Sequence, residues 1–406
     1  MFRSWGGEAA AFFAYTHWSH DVCISLIVPL MPFIKSDLEL SYLQSGLIFS
    51  AFAITSGLSQ FIGGWVGDRI SRRVVVAIGL GGIGVATMAV GLTSAYYPLL
   101  IILIIMGIFS GAYHPSILSL LSTYFSIENK GKVVGLYMVG GSLGFAMGPL
   151  LGGLISDRLS WQSAFIIFSI PALVSVPLVL RRFRKDQGTI INESITNVSI
   201  GNKVTEMQVG KNKGIGQILR PIAAIFILAV LTQLVIGSAM AFLPMYLVDK
   251  HALSSAYAAM AMGVLRGGGI AGSLFGGWLS DRWCRREAII LALVTIGPIL
   301  YLLTRLPVNA FFMLVLLVFG IVWIMRQSTV QIFLMDHTPI HMKATVFGIY
   351  FGLSMESMTL VQPLVGYFMD IYGVEEAFHF MALISVVLSL FALLLIRPRF
   401  RPSQSP

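Results

Sequence analysis

Twelve apolar stretches, each about as long as a membrane helix, dominate this chain of 406 residues. A helix needs about 20 consecutive, mainly apolar residues to cross the hydrocarbon core of a bilayer. Only 11% of the residues are charged, whereas a soluble domain has about a quarter. The sequence therefore predicts an all-α membrane protein with twelve transmembrane helices. They lie at 10–33, 42–66, 74–94, 97–122, 133–155, 162–180, 221–247, 255–280, 286–304, 308–333, 344–368 and 374–396.

Positive charges are distributed unevenly between the two sets of connections. Counted over the predicted helices, 21 of the 27 lysines and arginines fall in the tails and in the loops of one face, and four fall on the other. Cytoplasmic segments of membrane proteins carry such an excess. We therefore expect a multi-pass protein of the plasma (inner) membrane with both termini and the segment 181–220 in the cytoplasm. The same distribution explains the net charge of +9 without a nucleic-acid partner.

A ten-residue motif occurs twice and shows that the chain contains a repeat. The segments 64–73 and 277–286 both follow the pattern G-W-x-x-D-R-x-x-R-R and lie 213 positions apart. The same offset relates Gly153, Asp157 and Phe165 to Gly366, Asp370 and Phe378. Two related halves of six helices each would explain this repeat. We therefore predict an N-terminal bundle, a cytoplasmic linker, a C-terminal bundle and a cytoplasmic tail at residues 1–180, 181–220, 221–396 and 397–406.

Both copies of the motif lie in short loops between predicted helices. Three arginines within five positions are too costly to bury in hydrocarbon, so they mark an aqueous face. The aspartate of each copy lies four residues before an arginine, a spacing that permits an ion pair. One copy would suit an ordinary cytoplasmic loop, whereas two copies at a fixed offset favour a conformational role. The residues to which we assign this role are Gly64, Asp68, Arg69, Arg72, Arg73, Gly277, Asp281, Arg282, Arg285 and Arg286.

Glycines recur along the fifth and eighth predicted helices. A helix face without side chains lets another helix approach closely. The two flat faces could slide or rock against each other, and static close packing is the alternative. The stripes with a spacing of four are Gly140, Gly144, Gly148 and Gly152 in the fifth helix, and Gly268, Gly272 and Gly276 in the eighth. The wider pattern of the fifth helix comprises Gly135, Gly144, Gly148, Pro149, Gly152 and Gly153.

Ionisable residues lie inside the first and fourth predicted helices. His17 and Asp21 are four positions apart and therefore share a helix face, whereas His20 points elsewhere. Ionisable groups in a span face the protein interior or a water-filled cavity, and a function is the default hypothesis for them. We predict that Asp21 carries a proton and that His17 and His114 tune it or relay the proton. A fixed structural pair of His17 and Asp21 is the alternative.

The second half also carries charges inside its predicted helices, namely Arg266, Arg326 and Glu356. The 213 offset relates Arg326 to Tyr113, so the two helices would present polar groups at similar depth. We predict that Arg326, Arg266, Glu356 and Tyr113 contact a substrate. A structural ion pair between Arg266 and Glu356 is the alternative.

Taken together, these motifs resemble those of the major facilitator superfamily over nearly the whole chain. The segments 64–73 and 277–286 are similar to the family's motif in the loops after its second and eighth helices. The glycines of the fifth helix, with Pro149, resemble the antiporter motif of the family. Pro29-x-x-Pro32 is similar to the first helix of drug:proton antiporters.

A finer resemblance rests on the first and fourth helices. His17-x-x-x-Asp21 and the segment 111–115 (G-A-Y-H-P) are similar to the fosmidomycin-resistance branch of the family. Many drug antiporters have an arginine in the fourth helix a few residues before the glycine of this segment. Gly107 and Ile108 occupy that region here. Proton coupling through that arginine is therefore not expected.

The resemblance implies two six-helix bundles related by a pseudo-twofold axis along the membrane normal. The first, fourth, seventh and tenth helices would line a central cavity, and one bundle would rock against the other. Because the tenth helix should line the cavity, Arg326 is favoured over Arg266 as a substrate contact. The resemblance also implies a latch in which Asp68 meets the start of the eleventh helix and Asp281 that of the fifth.

In functional terms, the resemblance implies a transporter that exports small drug-like molecules, anions among them, against inward proton flow. A proton-coupled importer of a small organic anion is the first alternative. A non-transporting receptor or scaffold is the second. The spacing of nucleophiles, bases and metal ligands is not that of an enzyme, so we expect neither catalysis nor a metal or cofactor. We expect a monomer in the lipid bilayer whose partners are a small-molecule substrate and protons.

Overall fold

The computed structural model contains helices and connecting turns, with no strand among the residues that it describes. These residues are 7–67, 69–125, 127–183, 215–282, 285–337, 350 and 357–395. The helices are α1 (Gly7–Ser25), α2 (Met31–Asp37), α3 (Tyr42–Gly67), α4 (Arg72–Val90), α5 (Tyr96–Tyr124), α6 (Ile127–Arg158), α7 (Trp161–Arg182), α8 (Ile215–His251), α9 (Ser255–Arg282), α10 (Arg285–Arg305), α11 (Ala310–His337), α12 (Ser357–Tyr372) and α13 (Val374–Leu395).

Judged by length and composition alone, eight of these helices are long and apolar enough to cross a membrane. They are α4, α5, α6, α7, α8, α10, α11 and α13. The all-α membrane fold predicted from the sequence is confirmed. The linker between the halves is described only at its ends, because α7 ends at Arg182 and α8 begins at Ile215. The interior of the predicted linker lies outside the described residues, and its bounds stay a prediction.

The first membrane span consists of two helices rather than one. A turn at residues 26–30 separates α1 from α2. Pro29 lies in this turn and has no N–H group to donate, which favours a break at this point. Pro32 stands in the first turn of α2, where the helix does not need that donor. The sequence predicted a continuous helix over 10–33, and the two prolines explain the difference.

The repeat found in the sequence recurs in the helix contacts. A Cβ at Gly63 of α3 would collide with Ala112 of α5, and one at Gly276 of α9 would lie against Met325 of α11. The two contacts are related by 213 positions at both ends. A second pair of contacts, Gly107 with Phe52 and Gly320 with Leu265, repeats with the same offset. The halves therefore share one packing scheme.

The glycine stripes serve packing within each half rather than sliding between the halves. The stripe of α6 lies against α1, where added Cβ atoms would collide with residues from Ala14 to Leu26. The stripe of α9 lies against α11, next to the backbone of Leu317 and Ile321 and to Met325. The expectation that the two stripes face each other is wrong in this structure, and the alternative of static close packing describes them.

Two pairs of helices make most of the contacts between the halves, at the membrane face where α3 and α9 begin, which we call the distal face. The pairs are α3 with α12 and α6 with α9. A Cβ at Gly46 would collide with the backbone of Gln362. One at Gly153 would lie 2.8 Å from the Cβ of Ala259. The halves are thus in close contact at the distal face.

Asp370 of α12 fastens this contact. Its carboxylate accepts hydrogen bonds from the backbone N–H groups of Tyr42 (2.8 Å) and Leu43 (2.9 Å), the first residues of α3. A carboxylate at a helix N-terminus satisfies unpaired N–H groups and interacts favourably with the helix dipole. The Tyr42 hydroxyl also donates to Asp249 of α8. Asp157, which the 213 offset relates to Asp370, is exposed and makes no hydrogen bond with any described residue.

Candidate functional site

A cavity of about 410 Å³ lies between the two halves. Its walls come from α1, α5 and α6 of the first half and from α9 and α11 of the second. On α6 and α9 the residues that line the cavity lie beyond the distal contacts, in the direction of the membrane face where α1 begins. We call that membrane face the proximal face. The cavity therefore lies between the distal contacts and the proximal face. The resemblance implied a lining by the seventh span, α8, but the described lining uses α6 and α9 instead.

The carboxylate of Asp21 is the centre of a cluster in the wall of this cavity. His17 Nε2 lies 3.1 Å from Asp21 Oδ2, and His20 Nδ1 lies 2.7 Å from Asp21 Oδ1. His114 Nε2, on α5, lies 3.8 Å from Oδ1. All four residues are buried or half-buried. The structure therefore brings together the three residues that the sequence analysis assigned to proton coupling, and it adds His20.

Both histidines of α1 are fixed at their far side by a backbone carbonyl and a stacked ring. His17 Nδ1 lies 2.8 Å from the carbonyl oxygen of Tyr137, and the two rings stack 3.8 Å apart. His20 Nε2 lies 3.3 Å from the carbonyl oxygen of Ser110, and its ring stacks on Tyr113 at 4.4 Å. Each ring is therefore held by bonds at both of its nitrogens.

His20 was not predicted as a site residue, because neighbouring residues of a helix point in different directions. Asp21 has two carboxylate oxygens, and these turn to opposite sides. One oxygen meets His17 and the other meets His20. A histidine directly before a membrane-embedded aspartate was the available signal, since buried ionisable groups in spans pair with one another.

Glycines of α6 provide the space for this cluster. A Cβ at Gly141 would lie 2.5 Å from His17 Cε1 and 2.7 Å from Asp21 Oδ2. A Cβ at Gly144 would lie 3.0 Å from the Cβ of Asp21. Gly135, in the same helix, is exposed, and a Cβ there would meet no atom within 4 Å. The glycine pattern of α6 therefore permits the imidazole and the carboxylate to lie directly against a helix backbone.

The ligand-type atoms of His17, Asp21 and His114 lie within 4.8 Å of one another. A metal ion uses nitrogen lone pairs and carboxylate oxygens that point toward it. In this structure Asp21 directs its oxygens at two imidazole nitrogens of α1. An ion would have to break these contacts to bind, so we describe the group as a hydrogen-bonded cluster.

Arg266 of α9 lies in the opposite wall of the cavity. Its guanidinium carbon lies 5.3 Å from the ring centre of Phe145, in the first half, and 5.4 Å from that of Trp323, in the second. Such distances suit cation–π attraction. Arg266 makes no ion pair or hydrogen bond with any residue within the described ranges, and Glu356 lies outside them. The Arg266 side chain lines the cavity together with these two rings.

Arg326 does not reach the cavity. It is fully buried, and its guanidinium donates to the carbonyl oxygen of Ala229 at 3.0 Å and to the side-chain oxygen of Gln233. Tyr113 is equally buried and donates to the hydroxyl oxygen of Thr16 at 3.1 Å. The structure thus places Arg266 at the cavity wall, which reverses the order of preference expected from the sequence. The side chains of Arg326 and Tyr113 hold helices together instead.

The loop motifs are only partly described. Arg69 is exposed, Arg72 is half-buried, and Arg73 donates to the carbonyl oxygen of Phe183 at 3.4 Å. Asp68 lies outside the described residues. The other predicted motif positions include Gly64 of α3 and Gly277, Asp281, Arg282, Arg285 and Arg286 of α9 and α10, whose side-chain contacts are outside the described part. The latch between Asp68 and the eleventh span stays a prediction.

Comparison with known proteins decides the family. The family model of the Major Facilitator Superfamily matches residues 11–363 of this chain. The chain belongs to the Major Facilitator Superfamily. It is therefore a multi-pass membrane protein, as the sequence motifs indicated.

The relatives of this chain have names that refer to different compounds. The hexuronate transporter of Bacillus subtilis (strain 168) is 29% identical over 163 residues, which cover 40% of this chain and 39% of the relative. This match spans only about two fifths of that protein. The fosmidomycin resistance protein of Escherichia coli (strain K12) is 21% identical over 377 residues, 92% of this chain and 89% of the relative.

A solved structure shows the same fold over almost the whole chain. It is a bacterial homolog of the human lysosomal transporter Spinster in an inward-facing and occupied conformation. The two structures share a TM-score of 0.77 with 15% sequence identity, over 98% of each chain. At this identity the likeness establishes the fold alone.

Proposed function

We propose that this superfamily member is a proton-coupled exporter of small drug-like molecules that works by alternating access. The observation that carries the proposal is the Asp21 carboxylate, bonded to two histidines in the wall of a cavity between the halves. The antiporter-like glycine pattern of α6 and the name of the fosmidomycin resistance relative support export.

Proton coupling follows from the cost of keeping an ionised group inside a membrane protein. Such groups are rare in spans because each costs several kcal/mol or more, and they mark proton relays and substrate paths. A group in the cavity wall exchanges protons with whichever side of the membrane the cavity faces. If the proximal face is cytoplasmic, as the loop charges predict, the present arrangement gives Asp21 access to the cytoplasm.

A second candidate is a proton-coupled importer of a small organic anion. The observation that favours it is Arg266, a cation at the cavity wall without an acidic partner among the described residues. A guanidinium group binds carboxylates and phosphates through paired N–H donors. The name of the hexuronate transporter relative agrees with an anionic substrate.

Transport in oriented vesicles distinguishes these candidates. The purified protein is reconstituted in right-side-out and inside-out vesicles, an inward or outward proton gradient is imposed, and uptake of small phosphonates, carboxylates and neutral drugs is measured. An exporter accumulates substrate in inside-out vesicles with an acidic lumen. An importer accumulates it in right-side-out vesicles with an acidic exterior. The absence of gradient-driven accumulation in either orientation, for every compound, would contradict transport coupled to protons.

Replacing Asp21 tests the site that carries the proposal. We expect Asp21→Asn to retain exchange of substrate across the membrane and to lose accumulation driven by the proton gradient. Ser142→Ala is the matched control, because Ser142 lines the same cavity but cannot titrate. If Asp21→Asn still accumulates substrate at the wild-type level, Asp21 is not required for coupling.

A further inference from the structure

The geometry around Asp21 points to one excess proton that three residues share. This proton gives the group a surplus positive charge. We propose that Asp21 remains an ionised carboxylate between two imidazolium rings, His17 and His20, and that His17 is the ring that exchanges its proton with the cavity. His20 is then a positioning residue that keeps Asp21 neutralised. This inference rests on the proposed proton coupling and names the groups that perform it.

Each of the two rings makes two polar contacts, one at each nitrogen. His17 faces the Tyr137 carbonyl with Nδ1 and Asp21 with Nε2. His20 faces Asp21 with Nδ1 and the Ser110 carbonyl with Nε2. A backbone carbonyl and an ionised carboxylate only accept hydrogen bonds, so each of the four contacts needs one proton.

Four protons give the cluster a net charge of +1. Both rings are then doubly protonated, and each carries one positive charge against the single negative charge of Asp21. With three protons the cluster is neutral, but one ring nitrogen then turns a lone pair toward an oxygen. The arrangement seen here, with all four contacts at 2.7–3.3 Å, therefore corresponds to the loaded cluster.

Four protons could also be arranged with one of them on the carboxylate and only one charged ring. In water, imidazole binds a proton about two to three pH units more tightly than a carboxylate does. Here two rings flank the same carboxylate, and each points a ring nitrogen at a different one of its oxygens. Asp21 is therefore the permanent anion, and the exchangeable proton belongs to an imidazole.

Burial decides which imidazole exchanges its proton. His17 lines the cavity together with Asp21, whereas His20 is fully buried and does not line it. On release, the Nε2–H bond of His17 breaks, its electron pair stays on the nitrogen, and the proton passes to water in the cavity. His17 keeps its Nδ1–H bond to Tyr137, and Asp21 stays paired with the His20 imidazolium. The cluster is then neutral.

The other titratable groups near the cluster do not neutralise its surplus charge. Tyr113 stacks on His20, and Tyr137 stacks on His17, so both phenols contact the rings through their faces. His114 of α5 lies edge-on to both rings, and its Nε2 is 3.8 Å from Asp21 Oδ1, which is too far for a hydrogen bond. Among the described residues that line the cavity, Arg266 is the other charged group, and it is a cation. The surplus charge therefore has no second carboxylate to neutralise it there.

Replacing His20 by glutamine tests the inference, because the amide still donates to Asp21 but carries no charge. Without this cation the cluster binds the exchangeable proton more tightly and releases it at higher pH. We expect the pH at which proton-driven transport is half-maximal to rise by about one unit or more. Thr16→Val, which removes the acceptor of the Tyr113 hydroxyl without changing any charge, should leave this pH unchanged. A folded His20→Gln protein with the wild-type pH profile would overturn the assignment.

Infrared difference spectra give a second test, which reports protonation directly and needs no transport measurement. Spectra of the full-length protein in vesicles are compared between acidic and alkaline pH. We expect imidazolium bands to disappear as the pH rises, and no protonated-carboxyl band that is lost in Asp21→Asn. Such a carboxyl band would show that Asp21 itself carries the proton, even if transport is proton-driven. Absence of proton-driven transport in the wild type would instead contradict the proposed function.

Discussion

The two halves of this superfamily member place hydrogen bonds at equivalent positions but build them from different chemical groups. In the first half the Tyr113 hydroxyl bonds to α1, and a histidine of α1 bonds to α5. In the second half the Arg326 guanidinium bonds to α8, and a glutamine of α8 accepts from α11. The 213 offset relates Thr16 to Ala229, His20 to Gln233, Ser110 to Trp323, Tyr113 to Arg326 and His114 to Gln327.

This difference agrees with the proton coupling proposed above. The first half has a carboxylate at Asp21 where the second half has Leu234. The histidines and the aspartate of the first half can gain or lose a proton. The second half has two arginines inside its membrane spans, and arginine keeps its charge at every physiological pH. We infer that the first half handles protons and that the second provides fixed positive charge, with Arg266 exposed to the cavity and Arg326 buried behind it.

The largest effect is expected from a glycine substitution next to the Asp21 cluster of the first half. Gly141→Ala places a methyl group against His17 and Asp21, so the cluster cannot keep its present contacts. We expect loss of proton-driven accumulation in reconstituted vesicles. Gly135→Ala is the matched control in the same helix, because its methyl group meets open space. Equal activity of the two variants would show that the close approach of α6 to the cluster is unimportant.

The buried arginine of the second half should matter for stability rather than for substrate affinity. Arg326→Ala leaves a cavity and removes the bonds to Ala229 and Gln233. A loss of about 3 kcal/mol in the free energy of unfolding is expected from such a change. Thermal unfolding in detergent measures it. A stable Arg326→Ala protein with weakened anion binding would instead support the original expectation that Arg326 contacts substrate.

The exposed arginine should show the opposite pattern. Arg266→Ala removes a charged hydrogen-bond donor from the cavity wall, which costs about 1.5–3 kcal/mol of binding to an anion, or roughly 10- to 150-fold in affinity. Binding of neutral compounds should change little. Competition binding with the same panel of phosphonates, carboxylates and neutral drugs checks this. A uniform decrease for all compounds would show that Arg266 only shapes the cavity.

The smallest effect is expected at the distal face, where the halves also differ. Asp370→Asn weakens the capping of α3, and loss of a helix cap costs about 1 kcal/mol. Accessibility of a distal-face cysteine should therefore rise about fivefold if the cap holds this face closed. Asp157→Asn is the matched control, because the equivalent carboxylate is exposed and makes no hydrogen bond with described residues. The same change in both variants would remove the assigned role of Asp370.

Several features of this protein could be predicted because they depend on one helix or one loop at a time. Hydropathy identified the membrane spans, and the fixed offset identified two halves. The motifs identified the superfamily. The pair of His17 and Asp21 could be predicted because a spacing of four places two residues on one helix face.

Contacts between helices were decided only by the tertiary structure. Helical periodicity says which residues share a face but not how far the helix is rotated or which neighbour that face meets. The α6 glycines therefore turned out to face α1, and Arg266 rather than Arg326 reached the cavity. The part played by His20 depends on a backbone carbonyl from another helix, at Ser110 of α5. Its sequence position alone gave no information about that acceptor, because the two residues are 90 positions apart.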